Sequence, residues 1–424
     1  MNPLDRLVKR VKRFGLFKGA SRLVLGKAMA CAVPRYHKRI VNKNSVNQKK
    51  IVFSSYPSFS DNARVLYDYY LEHNPEHEFV WLMGLDAEKP EGDWKNTRFV
   101  RSESEYHKGL TLSAIKEIST AGIIYYTHTS PFKNFSERKG QLTVNLWHGC
   151  GYKDIHIERK SVSDRTTQFD YALVPGKLFI DTKSRFWNCG KDQILTIGYP
   201  RYDLLKRPDD KAEKLAETFR PHGEKLVMWM PTFRKTVNGN FPEENIDYDF
   251  DLPLLKNSDE MISLNKAAAD NNIMLLIKRH PKQLEYSCEK MSFSNIRFLS
   301  NSTFVKAGVQ LYSFLRYTDA VVSDYSSIAV DYLLLDKPMA FSLDDYEKYK
   351  DSRGFVFDDP LEYMPGHYLY TFDDFAAFLS DIAGGKDTFK PERERVMPLM
   401  HNSCADYCGR ILTKVNELFG EKNE

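Results

Sequence analysis

Four polar clusters stand out because each closes a short apolar, β-branched run. His148-Gly149 follows Leu142–Trp147, and Thr232 and Arg234 lie in Pro231-Thr-Phe-Arg234 after Leu226–Met230. Lys278-Arg279-His280-Pro281 closes the run from Met274, and Asp324-Tyr-Ser-Ser327 closes Ala320–Ser323 and opens a helical stretch. Arginine, lysine and histidine beside serine hydroxyls suit an anionic ligand, above all a phosphate. Ser326 and Ser327 have two readings: ordinary N-capping, or hydroxyls and free backbone N–H groups holding a phosphate at the positive end of a helix. Arg279 and His280 favour the second, since three phosphate-directed elements at strand ends make a set. His148 has the residue type of a general base near pH 7, although a lone histidine is more often a structural hydrogen-bonder. Gly149 lets a substrate approach closely, and Pro281 keeps His280 extended at its strand end.

These residues need strands to carry them. From residue 50 onward short apolar runs alternate with helical stretches. Ile51–Ser55, Glu78–Met83, Arg98–Val100, Gly122–Tyr126, Leu142–Trp147, Tyr171–Val174 and Ile194–Ile197 read as strands of a first set. Helices are predicted over Asp61–His73, Tyr106–Ile118 and Lys177–Trp187. A second set contains the strands Leu226–Met230, Met274–Lys278, Ala320–Ser323 and Pro338–Phe341, with helices near Glu260–Asp270 and Ser327–Leu335. Such β–α alternation with fully apolar strands implies parallel sheets covered on both faces, an α/β class with two doubly wound domains. The four clusters then share the carboxyl edges of the sheets, where such folds bind ligands. Expected boundaries are 1–48 for a basic segment, 49–205 and 206–390 for the two domains, and 391–424 for a closing helical stretch that ties the halves together.

Charge separates the N-terminus from the rest. Of 424 residues, the first 50 hold 14 Lys+Arg against one acid, Asp5; the remainder hold 47 basic and 56 acidic residues. An acidic body argues against nucleic acid as the partner. Leu4, Leu7, Val8, Val11 and Phe14 lie on one helical face, with Arg6, Lys9, Arg10, Lys12 and Arg13 opposite. A basic amphipathic helix of this kind suits an anionic membrane surface, at about 1 kcal/mol for each near-surface Lys or Arg; packing on the protein's own body is the competing reading. No run reaches the 18–20 apolar residues of a membrane span. The six cysteines form no CxxC pair and read as reduced thiols, Cys404 and Cys408 as neighbours on one helix. There is no GxxxxGK[ST] and no GxGxxG. Asp247-Tyr-Asp-Phe-Asp251 reads as a solvated acidic loop, so no obligate metal or other cofactor is inferred.

Taken in order, Trp147-His-Gly149, Gly198-Tyr-Pro-Arg-Tyr-Asp203, Pro231-Thr-Phe-Arg234, Lys278-Arg-His-Pro281 and Ser323-Asp-Tyr-Ser-Ser327 with Asp331-Tyr332 resemble the CDP-glycerol glycerophosphotransferase family. Arg353-Gly354-Phe355 followed by Pro365-Gly366 is similar to its late motif. The resemblance covers about residues 120–370 and rests on order and spacing. It implies a GT-B-like architecture of two Rossmann-like domains facing a cleft, 49–205 for the acceptor and 206–390 for the CDP donor, attached peripherally to the cytoplasmic face of the membrane. It implies transfer of glycerol phosphate from CDP-glycerol to a hydroxyl of a lipid-linked or glycan acceptor, releasing CMP, in teichoic acid or capsule synthesis. His148 then maps to the general base. His280 with Arg279 stabilises the pyrophosphate and the leaving CMP. Ser326 and Ser327 hold phosphate oxygens, and Thr232, Arg234 and Arg353 orient the donor. Gly149, Arg201, Lys278, Asp324, Asp331 and Gly354 complete the expected substrate-binding set.

There are departures from the family pattern. Cys150 stands where the family commonly has Thr, which weakens a hydroxyl contact; Phe233 stands where Trp is usual; Lys278-Arg279 replaces Lys with an apolar neighbour. The extra N-terminal region of the longer polymerases is not seen, which tilts the expectation toward a primase, a short-chain enzyme or a single-domain capsule polymerase. A CDP-ribitol donor, a GT-B glycosyltransferase using a nucleotide sugar, and a degenerate, non-enzymatic family member are the alternatives. The oligomeric state is open, a homo-oligomer included.

Overall fold

The computed structural model describes residues 32–85, 87–103, 109–132, 137–154, 168–233, 250, 252–280, 283 and 285–423. The expected basic helix at residues 4–14, Arg234, Pro281 and all of the acidic run 247–251 except Phe250 lie outside them.

Two parallel sheets organise the chain. The first contains β1 (Asn47–Ser54), β2 (Glu78–Met83), β3 (Thr97–Arg101), β4 (Ala121–Tyr126), β5 (Leu142–Asn145), β6 (Tyr171–Leu173) and β7 (Ile194–Leu195), in the order β3-β2-β1-β4-β5-β6-β7. The second contains β8 (Lys225–Trp229), β9 (Ile273–Lys278), β10 (Ile296–Leu299), β11 (Ala320–Ser323), β12 (Met339–Ser342) and β13 (His367–Leu369), in the order β10-β9-β8-β11-β12-β13. Every pairing is parallel. Both sheets start in the middle, run to one edge, return and run to the other, the doubly wound order of a Rossmann-like domain. Every residue of β4 and β9 is buried, which is why these central strands read as unbroken apolar runs.

The sheets agree with the α/β expectation, with local corrections. The helix expected over Tyr106–Ile118 is Leu112–Thr120, started by Thr111, whose Oγ1 accepts from the Ala114 amide at 3.1 Å. The helix from Ser327 is α only to Tyr332 and tightens to 3₁₀ over Leu333–Leu335. The edge strands β10 and β13 were not anticipated. Cys404 precedes the last helix, Tyr407–Asn423, so it is not one helical turn from Cys408 within it.

Residues 32–43 form a helix whose Val33 and Ile40 are buried on the first sheet's side of the molecule. At the other end, the helices Lys390–Met400 and Tyr407–Asn423 tie the halves together. His401 Nε2 donates to the Val330 carbonyl at 2.7 Å, and the Asn402 amide donates to Pro175 O at 2.9 Å. The amides of Tyr407 and Cys408 donate to the Asp203 carboxylate at 2.7 and 2.9 Å. One apolar cluster runs through both halves, from Phe53 and Trp81 to Met228 and Phe341. Among the described residues no helix is long and apolar enough to cross a membrane.

Candidate active site

The chain leaves β5 through a kink. Trp147 has φ of 51°, a left-handed conformation that costs on the order of 1 kcal/mol for a bulky residue. Two bonds fix it: Asn145 Oδ1 accepts from the Trp147 amide at 2.9 Å, and Asn62 Nδ2 donates to the Trp147 carbonyl at 2.8 Å. The kink delivers His148, whose Nδ1 meets the Thr127 carbonyl at 3.2 Å. A carbonyl only accepts, so Nδ1 carries the proton and the Nε2 lone pair remains. No described residue hydrogen-bonds Nε2. Burial holds this imidazole's pKa well below the ordinary histidine value, and His128, Lys183 and Arg201 push the same way against the Thr127 bond. The ring is therefore neutral at pH 7 and presents a base. His128 stacks on it, with ring centroids 4.0 Å apart and planes within 10°.

After His148 the chain crosses to the second domain. Gly149 has φ of +130°, and a Cβ there would lie 2.6 Å from Ser327 Oγ and 2.9 Å from Arg201 Nη2. A Cβ on Gly151 would lie 2.8 Å from the Ser327 amide nitrogen. These two glycines let the His148 loop sit against the helix start at Ser326 and Ser327. Ser326 Oγ also caps that helix, accepting from the Ile328 amide at 3.5 Å. Farther on, the Asp154 amide donates to Gly354 O and the Val356 amide to Tyr152 O, both at 2.9 Å. Gly354 therefore belongs to a small antiparallel seam between the halves, and Arg353, buried beside it, has its amide on Tyr349 O at 2.8 Å.

Arg201 and Asp331 are both buried. Arg201 Nη2 donates to Asp331 Oδ2 at 2.6 Å, and Nη1 to Asp61 Oδ1 at 2.9 Å and to the His148 carbonyl at 3.0 Å. Tyr202 and Tyr312 hydroxyls each donate to the Asp331 carboxylate at 2.5 Å, and the Tyr312 ring lies under the guanidinium at 4.6 Å. Asp331 is fully buried. Together the pair pins the His148 backbone of one domain to the helix of the other.

On the second sheet, Thr232 follows β8 and Asp324 follows β11, the two strands flanking the reversal point. The Thr232 amide and hydroxyl both donate to Asp324 Oδ2 at 2.8 Å, so Asp324 shapes the loop that leads toward residue 234. Lys278 closes β9 with its ammonium on Asn301 Oδ1 at 2.9 Å, and burial pushes its pKa down to about 8. Arg279 Nε lies 3.3 Å from Glu289 Oε1. His280 packs its ring on Phe233 at 4.9 Å, and Lys153 of the crossing loop lies 5.9 Å over that same ring. The structure thus gathers His148, Gly149, Ser326 and Ser327 at one seam, with Arg201 and Asp331 beneath it. Phe233 links His280 to the same loop. Cys150 turns inward, its Sγ 3.2 Å from the Tyr199 hydroxyl, so the place usually taken by Thr faces the interior.

Several site residues escaped the sequence reading. His128, two residues past β4, carries the same strand-end signal that marked His148. Asp61, Asn62 and Tyr312 gave no such signal, because they act from helix starts distant in sequence.

A family model described as CDP-glycerol:poly(glycerophosphate) glycerophosphotransferase matches residues 36–406. The chain belongs to this family. It is similar to the teichoic acid poly(glycerol phosphate) polymerase of Staphylococcus epidermidis, 25% identical over 353 residues, covering 78% of this chain and 45% of that protein. It is also similar to the teichoic acid ribitol-phosphate primase of Bacillus spizizenii, 24% identical, covering 76% of this chain and 79% of that protein. The chain spans less than half the length of the polymerase it matches. A variant of the wall teichoic acid polymerase TagF soaked with CDPG has the same fold, with a TM-score of 0.70 at 19% identity, covering 97% of this chain and 100% of that one.

Proposed function

We propose that this chain transfers glycerol phosphate from CDP-glycerol to an acceptor hydroxyl and releases CMP. The observation that carries the reading is His148, neutral, with Nδ1 anchored on Thr127 O and no described residue hydrogen-bonded to Nε2, next to Gly149 that packs on Ser327, in a member of this family. His148 Nε2 takes the proton of the acceptor hydroxyl as its oxygen attacks the glycerol-bearing phosphorus. The bond from that phosphorus to the CMP oxygen breaks, and CMP leaves. Arg279, His280, Lys278 and the Ser326–Ser327 helix start supply positive potential and donors for the phosphate oxygens; Thr232, Arg234 and Arg353 orient the donor. Transfer of this kind relies on positioning and charge stabilisation. Arg201 and Asp331 act as positioning residues, through the His148 backbone they hold.

A CDP-ribitol donor is the second reading, supported by the 24% identity to a ribitol-phosphate primase beside 25% to the glycerol-phosphate polymerase. The basic N-terminal segment supports attachment to the cytoplasmic face of an anionic membrane. One assay tests the set: purified protein with CDP-glycerol, CDP-ribitol or a UDP-sugar and an alkyl-linked acceptor, with released nucleotide measured. CMP from CDP-glycerol, reduced about 10²–10⁴-fold by His148→Ala, is expected; UDP release without CMP overturns the reading.

A further inference from the structure

Lys183 is a buried cation of the first domain, in the helix Ile180–Trp187 that follows β6, and only 7% of its surface is exposed. Its ammonium lies over three rings: Trp147 at 4.8 Å, Phe186 at 5.0 Å and Trp187 at 5.7 Å. Trp147 and Trp187 meet edge to face, with planes at 90°, so the rings wall a corner around the charge. Aromatic faces offset part of the cost of burying an ammonium. Burial lowers its pKa from the ordinary lysine value, and Cys150 opposes the shift.

This corner adjoins the base. With the ammonium 4.8 Å from the Trp147 ring and that ring 4.0 Å from the imidazole, the cation lies within about 9 Å of His148, close enough to act across a buried site. The other titratable groups around the imidazole are His128, stacked flat on it, the Cys150 thiol, its pKa raised by burial, and Arg201. Arg201 is matched by the carboxylates of Asp61 and Asp331. Rings, unlike carboxylates, hold an ammonium without cancelling its charge. We propose that Lys183 is a positioning residue of the transfer reaction: its caged ammonium acts through His148, disfavours the imidazolium and keeps the base free of a resting proton at acid pH. The proposal rests on the transfer reaction above and adds what holds its base ready. A proton already on Nε2 blocks abstraction from the acceptor hydroxyl, and a nearby fixed cation makes that state harder to form. After CMP leaves, the same charge favours passage of the acceptor's proton from Nε2 to water. Burial and His128 act on His148 in the same direction, and Lys183 adds to them.

The test follows kcat/KM for CMP release by the full chain, with CDP-glycerol and an alkyl-linked acceptor, between about pH 5 and 9. Lys183→Met keeps the length of the stem and removes the charge. The imidazolium then forms more easily, so the acid limb is expected to move upward, by about 0.3 to 1.4 pH units for one charge at about 9 Å between water-like and protein-like screening. Lys183→Arg keeps a cation over the rings and is expected to restore the wild-type limb. Where turnover is too slow for a profile, the His148 Nε2 resonance in ¹⁵N-histidine-labelled protein reads the same shift. A limb or resonance that stays in place in Lys183→Met overturns the assignment and leaves the transfer reaction standing. No CMP from the wild-type chain overturns the reaction, and the role of Lys183 with it.

Discussion

Replacing Arg201 with methionine removes the cation paired, among the described residues, with fully buried Asp331. The Nη2–Oδ2 contact of 2.6 Å is lost, and so are the Nη1 bonds to Asp61 and to the His148 carbonyl. Deleting one partner of a buried ion pair costs about 3–5 kcal/mol, because the other charge is left without compensation. Here Asp331 keeps two tyrosine hydroxyls at 2.5 Å, and Asp61 retains 17% side-chain exposure through which water reaches it. Both features soften the loss, so the expected cost lies at the low end, about 3 kcal/mol, or a factor of roughly 150 in the folded-to-unfolded ratio. Equilibrium unfolding in urea reads it. Asp331→Asn in the same background leaves no buried charge at the site, so Arg201→Met/Asp331→Asn is expected to cost about 2 kcal/mol less than the two single changes together. A single variant within about 0.5 kcal/mol of wild type, or strict additivity in the cycle, refutes the role of this pair as the pin between domains.

Gly149→Ala is expected to lower kcat about 100-fold, because its Cβ meets Ser327 and Arg201 below 3 Å and displaces His148; steady-state CMP release measures it, and wild-type turnover sinks the close-approach argument. His401 is buried and neutral, its pKa pushed by burial from 6.5 to about 4. The unfolded chain binds this proton first as pH falls through 6.5, so stability is lost progressively from pH 6.5 to about 4, by roughly 3 kcal/mol for this group. The wild type minus His401→Gln difference in unfolding free energy between pH 7.5 and 4.5 should carry that slope, and a flat difference contradicts it. Deleting residues 1–30, which hold eight Lys+Arg, should abolish co-sedimentation with anionic vesicles while leaving Val33 and Ile40 in their core; undiminished binding rules the segment out as the anchor.

The central strands were readable because burial on both faces leaves few polar positions: β4 runs Ala-Gly-Ile-Ile-Tyr-Tyr and β9 is apolar up to Lys278 at its end. β10 and β13 sit at the sheet edge, are three or four residues long and carry exposed or half-exposed positions, so neither an apolar run nor a clean alternation marks them. The strand-end clusters located the seam, since residue type and position after a strand are local facts. What stayed hidden is the partnering. Nothing in the spacing of Arg201 and Asp331 tells that they meet 130 residues apart across two domains, or that two tyrosines complete the carboxylate's shell. Cys150 shows the same limit from the other side. The sequence shows that a hydroxyl is missing there, but not that the thiol packs against Tyr199.

The apolar cluster that runs without interruption from the first sheet into the second has a thermodynamic consequence. Two-domain chains joined by a polar interface melt in two steps, each half at its own temperature. Each half has a smaller cluster of its own, Val227 to Ile382 in the second and Val33 to Phe132 in the first, but the largest cluster is shared, so separating the halves exposes Tyr202, Tyr325 and Phe341 along with the carboxylate of Asp331. The shared cluster therefore couples the two halves, and damage to one sheet is felt in the melting of the other.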